Sequence, residues 1–370
     1  MNLTVGVRRV RQTAVWAGFP GMWNMNFRLW PAMLALALPS AAVPTVQGAP
    51  VAASEFGHGA PPIASSQTII VGGASLQIDF ADGALDLSKA IVVTRIQAAA
   101  HSVATYYGRF PVPRARILII PVPGRHGVLQ GTTWGDRDGF PALLRLRLGQ
   151  TTTPEELADD WILTHEMVHT ALPSLPDEQH WLEEGLATYI EPMARVQAGE
   201  LTSQSVWRDM MHGMPKGEPD PKDRGLDRTH TWGRTYWGGA LFCLMADVEI
   251  RRQTGSRLGL QNALRAIVAA GGTIDKQWPL ERILKTGDQA TGTRVLEEMY
   301  ARWSESPVYV DLPQLWEQLG LKAEPAGITF NASAPLASIR TSITAASGPN
   351  TAEADERLRD FKRFSEKQSL

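Results

Sequence analysis

The segment that most limits how this chain can fold is TTTPEELADDWILTHEMVHTALPSLPDEQHWLEEGLATYIEP, residues 151–192. Thr153 is a natural N-cap, Pro154 suits a first helical turn, and Glu156 three residues on completes a capping box. Pro173 ends that helix, since proline cannot continue the hydrogen-bond ladder. The sequence therefore predicts one helix from Thr153 to Pro173. A second helix, HWLEEGLATYIEP, follows after a short proline-bearing loop and must return antiparallel to the first.

The rest of the chain divides around this pair. Residues 68–80, TIIVGGASLQIDF, have β-type composition broken by Gly72-Gly73 and predict two strands. Residues 86–107 have helical spacing, with Ile91, Ile96 and Val103 among the apolar positions. RARILIIPVP reads as a short apolar strand, GRHGVLQGTTWGDRDG as a glycine-rich loop, and PALLRLRLG as a strand with one solvated face. Beyond residue 150 the pattern is helical to about residue 320. Strands first and helices later is the order of an α+β domain, here expected over 66–340.

Composition narrows the function. With 44% hydrophobic residues, 20% charged and a net charge of −2, the 370-residue chain can bury a real core and has no basic stripe suited to nucleic acid. The single cysteine, Cys243, lies in an apolar run and is expected to be a buried structural thiol. From Met25, MNFRLWPAMLALALPSAAVPTVQGAP has the Arg28 n-region, short apolar core and small residues of a secretory signal peptide. The apolar run is shorter than the roughly 20 residues of a membrane span. Residues 1–49 are thus expected to be a signal region, with Met25 as an alternative start. The mature chain is expected in a bacterial periplasm or beyond, without a stable membrane span. An uncleaved anchor is the alternative reading of the same run. The stretch 345–370 is expected to be a polar, flexible tail, and oligomeric state is not legible.

The chemistry lies in the first helix. His165 and His169 are spaced i, i+4, so their Cβ atoms are about 5–6 Å apart on one face. Both imidazoles can reach one metal ion at about 2.0–2.1 Å. Trp161, Val168 and Leu172 share or border that stripe, so the face points inward. Glu166 is rotated off it but stays close, where a carboxylate can take a proton from an activated water and pass it to a leaving amine. That is the content of H-E-x-x-H; the plain alternative is two hydrogen-bonded histidines and a solvated glutamate. Catalytic zinc needs a third protein ligand and an open position, and spacing alone leaves Glu183 and Glu184 both eligible.

The pattern W-L-x-E-G-x-A after an upstream H-E-x-x-H resembles the gluzincin metallopeptidases, most closely the membrane alanyl aminopeptidase family and the glycyl aminopeptidases. The resemblance implies a thermolysin-like α+β catalytic domain with a small N-terminal β-rich lobe and a larger C-terminal helical lobe, Zn2+ as cofactor, and a peptide or protein substrate. Aligned on Trp181, Leu182, Gly185 and Ala187, it places the ligand glutamate on Glu184 and a small polar residue on Thr188. RTYWGGALFCLMADVEIRRQTG looks like the family helix that opens with a tyrosine, which would make Tyr236 the oxyanion donor. His230 could serve instead, and Arg234 could meet a substrate carboxylate or simply be solvated. The likeness runs over about 117–255, and more faintly over DLPQLWEQLGL. Two features depart from it: the gap from His169 to Glu184 is shorter, and the G-x-M-E-N segment that binds a free amino terminus has no counterpart, since HGVLQGTTWGDRDG holds no glutamate. An exported zinc-binding protein without peptidase activity, or a gluzincin hydrolase of a non-peptide ester, amide or epoxide, uses the same ligands.

Overall fold

The chain first doubles back at Gly72-Gly73. In the computed structural model, which describes residues 61–345 with residue 326 excepted, β1 (Ile63–Val71) and β2 (Ala74–Ala81) pair antiparallel across that turn. The expected signal region and the tail from residue 346 lie outside the described residues. Helix α1 (Lys89–Tyr107), capped by the Ser88 side chain, carries the chain over to β3 (Arg114–Val122), which lies parallel to β2. Ile91, Ile96 and Val103 are all buried, as their spacing requires.

The next segment departs from expectation. The glycine-rich stretch is not a loop: Val128–Arg137 forms strand β4, and Phe140–Gly149 forms β5. Strand order is β1-β2-β3-β5-β4, with β5 parallel to β3 and antiparallel to β4. So β5 is interior and β4 is the edge. Glycine depresses strand propensity, yet Gly131 and Gly135 stand where the strand approaches other backbone and side chains, and tertiary packing overrides the propensity. Along β5, Leu144, Leu146 and Leu148 point into the core while Arg145 and Arg147 stay half-exposed, matching the predicted alternation.

The helical region opens with the second departure. Instead of one helix from Thr153 to Pro173 there are two, α2 (Pro154–Asp159) and α3 (Ile162–Val168), followed by a 3₁₀ turn at His169–Ala171. The Thr153–Glu156 capping box is present as read. The break at Asp160 has an identifiable cause on α1. Buried Arg95 donates from Nε to the Leu157 carbonyl (3.2 Å) and from Nη2 to the Asp160 carbonyl (2.7 Å), satisfying groups that a continuous helix would use itself. The Asp160 carboxylate accepts from Ile162 N and Leu163 N at 3.2 and 2.9 Å, capping the new helix.

Helix α4 (His180–Gln197) follows, then α5 (Ser203–Gly213), a π-helical turn at Gly233–Gly238 leading into α6 (Gly239–Thr254), and α7 (Leu260–Ala269). The remainder is α8 (Leu280–Thr291), α9 (Val295–Trp303), α10 (Leu312–Leu319), a hairpin of β6 (Leu321–Glu324) and β7 (Gly327–Phe330), and α11 (Ala337–Ile343). One contiguous apolar cluster joins Val71 of the sheet to Ile343 of the last helix. Cys243 is buried within it, as expected. Among the described residues no helix is long and apolar enough to cross a membrane. The whole is a small N-terminal sheet on a larger helical region.

One crossing positions the site. Helices α4 and α6 touch backbone to backbone: a Cβ on Gly185 would lie 2.3 Å from Gly239 Cα, and one on Gly239 would lie 2.3 Å from the Trp181 carbonyl oxygen. Only glycine permits that approach, and it brings the residues flanking each glycine, Glu184 and the turn bearing Tyr236, to one place.

Candidate metal centre

Helices α3 and α4 converge on three side chains. His165, His169 and Glu184 each offer one donor atom, all within 4.8 Å of one another. His165 Nε2 lies 3.1 Å and His169 Nε2 3.7 Å from the same Glu184 oxygen, Oε2. Two donors about 2.1 Å from a shared tetrahedral centre stand about 3.4 Å apart, so these separations suit one metal ion. All three residues are buried. His169 Nε2 and Glu184 Oε1 are buried without a hydrogen-bond partner, a costly condition that a cation in their midst removes. Two imidazoles and one carboxylate form a donor set for Zn2+ that leaves a fourth position open.

Of the two candidate glutamates, Glu184 faces the imidazoles. Glu183 points elsewhere, accepting from Leu175 N at 2.9 Å and pairing with His180 Nδ1 at 3.1 Å. That bond ties the short loop before α4 to its first turn, which is how the chain spans the reduced gap after His169. His180 Nε2 is in turn 3.4 Å from Glu184 Oε1. His180 was not singled out in the sequence, although its i, i+4 relation to Glu184 was readable there.

The electrostatics keep Glu184 and His169 deprotonated, whereas burial of His165 is outweighed by the Glu184 carboxylate, which raises that imidazole. Burial raises the Glu184 carboxyl, but the imidazoles of His169, His165 and His180 outweigh it and hold the group at about 2. Burial pushes His169 down to about 4, so that ring is neutral near pH 7. The His165 Nδ1 atom has no hydrogen-bond partner, and ring contacts orient this imidazole: Trp161 edge-on at 5.3 Å and Tyr236 stacked at 6.4 Å between centroids.

Glu166 lies beside this group and is itself buried. Burial raises its carboxyl, His165 and the Thr133 hydroxyl lower it in part, and it settles at about 7. Thr133 Oγ1 is 2.6 Å from Glu166 Oε2 and 2.9 Å from its carbonyl oxygen. A Cβ on Gly131 would stand 2.4 Å from Glu166 Cγ, so glycine there makes room for the glutamate. Nothing in the sequence could have matched Thr133 to Glu166, because they are 33 residues apart and Thr133 fell in the supposed loop. Thr133→Val should displace the acidic limb of a pH–rate profile upward, because the hydroxyl stabilises the ionised carboxylate. A limb that stays in place would show that the hydroxyl serves the carbonyl instead.

The other expected residues divide. Tyr236 is buried in the π-helical turn, against His165 and Trp232. His230 is exposed, and Thr188 is half-buried on α4. Arg234 is neither solvated nor open to a substrate: it is buried, with Nε 2.7 Å from Asp223 and Nη1 donating to the Gly217 carbonyl. A cavity of about 970 Å³ opens beside the donor set, bordered by His169, His180, Glu183, the β4 residues from Thr133 to Arg137, and Asp138 just beyond the strand.

No family model matches the chain, and no curated protein matches it. Solved structures do. An aminopeptidase N family protein from Idiomarina loihiensis is similar with a TM-score of 0.50 at 13% identity, over 70% of this chain and 49% of that one. An M1 zinc metallopeptidase from Deinococcus radiodurans is similar at 0.44 and 15%, over 68% of this chain and 53% of the other. A mutant of it bound to a Tyr-Ser-Ala substrate gives 0.44 and 15%, over 68% and 54%. The chain thus spans about half the length of the solved structures it matches. The first of these likenesses is one of fold, a small sheet leading into a larger helical region.

Proposed function

We propose that this chain is an exported zinc metallopeptidase whose thermolysin-like catalytic domain spans 66–340. The observation that carries the reading is the buried carboxylate of Glu166 set directly beside three converged metal donors, one of which, His169, borders a large cavity. His165, His169 and Glu184 would hold the ion. Bound there, zinc supplies Lewis acidity toward a carbonyl and makes a water molecule acidic. Glu166, with a carboxyl near neutrality, accepts the proton of the attacking water and returns it to the departing amine. Tyr236 donates a hydrogen bond to the oxyanion that forms. The peptide backbone would pair with the edge of β4, as extended ligands add to sheet edges; β5, paired on both sides, has no free edge. The signal-like N-terminus supports a periplasmic or secreted location.

Purified protein should carry about one zinc per chain and cleave members of a peptide library in a chelator-sensitive way, read by mass spectrometry. Glu184→Ala should weaken zinc binding by more than the roughly 10–100-fold typical of losing a supporting residue. Glu183→Ala should stay within that range. A stable protein without zinc, or the reverse order of the two variants, would remove the assignment; zinc without peptide cleavage would favour a non-peptide substrate or an inert site.

A further inference from the structure

The cavity beside the donor set holds more than one side chain. At about 970 Å³ it sits at the upper end of the roughly 300–1,000 Å³ range of ligand sites. Its border includes the edge strand from Thr133, which touches Glu166, to Arg137, and Asp138 in the turn that follows. Five strand residues, Thr133 to Arg137, extend over about 14 Å at roughly 3.4 Å per step, enough to pair with several residues of an extended peptide leading away from the reacting bond. Much of the remaining wall is apolar, including Leu172, Leu186, Ile274 and Trp278.

A site that selects a free amino terminus gains most of its discrimination by setting a carboxylate against the desolvated ammonium. Among the described residues, the carboxylates that border this cavity, Asp136, Asp138 and Glu183, already have cationic or hydrogen-bonding neighbours. Both Glu183 oxygens are engaged, by Leu175 N and His180. Asp138 pairs with Arg116 at 3.3 Å, and exposed Asp136 lies where its charge acts on Lys276. The Arg137 guanidinium, over the Trp134 ring at 5.1 Å, also borders the cavity and would repel an ammonium. Deeper in the helical region, buried Glu191 pairs with Arg195 at 2.9 Å and Asp223 with Arg234 at 2.7 Å.

We infer that the substrate is an interior stretch of an extended polypeptide, held without recourse to a free amino terminus and with bulky apolar side chains in this cavity. The inference rests on the metallopeptidase reading and names the substrate class for it. The site then acts as an endopeptidase: water adds across an internal amide, leaving a new carboxylate and a new amine, with no other reactant.

The test uses the zinc-loaded full chain and matched decapeptides, each with a free or acetylated amino terminus and with Leu/Phe or Ala at the central positions. Expected are internal cuts at rates within about threefold for free and acetylated forms. The Leu/Phe peptides should be favoured at least tenfold in kcat/KM, since one methylene in an apolar pocket is worth roughly 10–200-fold. Gln277→Trp, at an exposed position on the cavity rim, should cut that preference by about tenfold. Release of single N-terminal residues from free peptides alone would overturn the inference while leaving the peptidase reading intact. Equal use of Ala and Leu/Phe peptides, or an unmoved preference in Gln277→Trp, would overturn the assignment of the cavity. No cleavage of any peptide would overturn the peptidase reading, and the inference with it.

Discussion

Glu166→Gln should reduce turnover by roughly 10²–10⁴-fold, the usual contribution of a positioned general base, while zinc content stays at the wild-type level. Glutamine has the shape of glutamate and can still accept the Thr133 hydroxyl, so the buried slot opened by Gly131 remains filled. What it lacks is a carboxylate able to take a proton, and the glutamate is held at about 7, well suited to accepting and returning one. The check is kcat at saturating substrate together with metal analysis of the same sample. Retained turnover would move the base to another residue; loss of zinc along with activity would make Glu166 part of the ligand set.

The second large effect is on stability. Arg95→Met should destabilise the fold by about 3–5 kcal/mol, as expected when one member of a buried charged network is removed. Arg95 is 2% exposed and serves three acceptors: the carbonyls of Leu157 and Asp160 and the carboxylate of Glu200, at 3.2 Å. Glu200 also accepts from Arg195 at 3.2 Å and from the Ser102 hydroxyl, and these partners hold its carboxyl below the usual range despite burial. Methionine fills much of the space but removes one of the three side-chain partners of Glu200 and the guanidinium bonds to the Leu157 and Asp160 carbonyls, of which Leu157 keeps only the weak bond from Asp160 N at 3.4 Å. Urea unfolding measures the loss. Arg95→Met combined with Glu200→Gln should cost less than the sum of the two, because both act on one network. A loss under about 1 kcal/mol would show that water replaces the guanidinium. Because Arg95 also sets the break before α3, the surviving folded fraction should bind zinc more weakly.

Much of this molecule was legible before folding. The Thr153–Glu156 box, the Gly72-Gly73 turn, the apolar strand at 114–122 and the alternation at 140–149 are local signals, since each depends on neighbours a few residues away. The i, i+4 spacing of His165 and His169 is local in the same sense, so the metal face of α3 could be read directly. Two errors share the opposite cause. The stretch from 124 to 139 looked like a loop because glycine lowers strand propensity, yet Gly131 and Gly135 are present so that β4 can pass close to Glu166 and the Ile274 backbone. The Thr153–Pro173 run looked like one helix because the residue that interrupts it, Arg95, is about sixty positions away. Arg234 was misjudged for a similar reason, its partner Asp223 lying in another turn of the chain.

By itself the sequence determined the Gly72-Gly73 turn, the Thr153–Glu156 capping box, the strands at 114–122 and 140–149, and the chemical types available to hold zinc and move a proton. Only the tertiary structure decided that Glu184 rather than Glu183 faces the imidazoles, that Thr133 meets Glu166 and His180 meets Glu183 and Glu184, and that β4 is the edge strand. The reason is physical: spacing along one helix fixes relative direction within a few residues, whereas meetings between helices and strands depend on how closely backbones approach. Here that approach is set by glycine against glycine at Gly185 and Gly239 and by a single buried guanidinium.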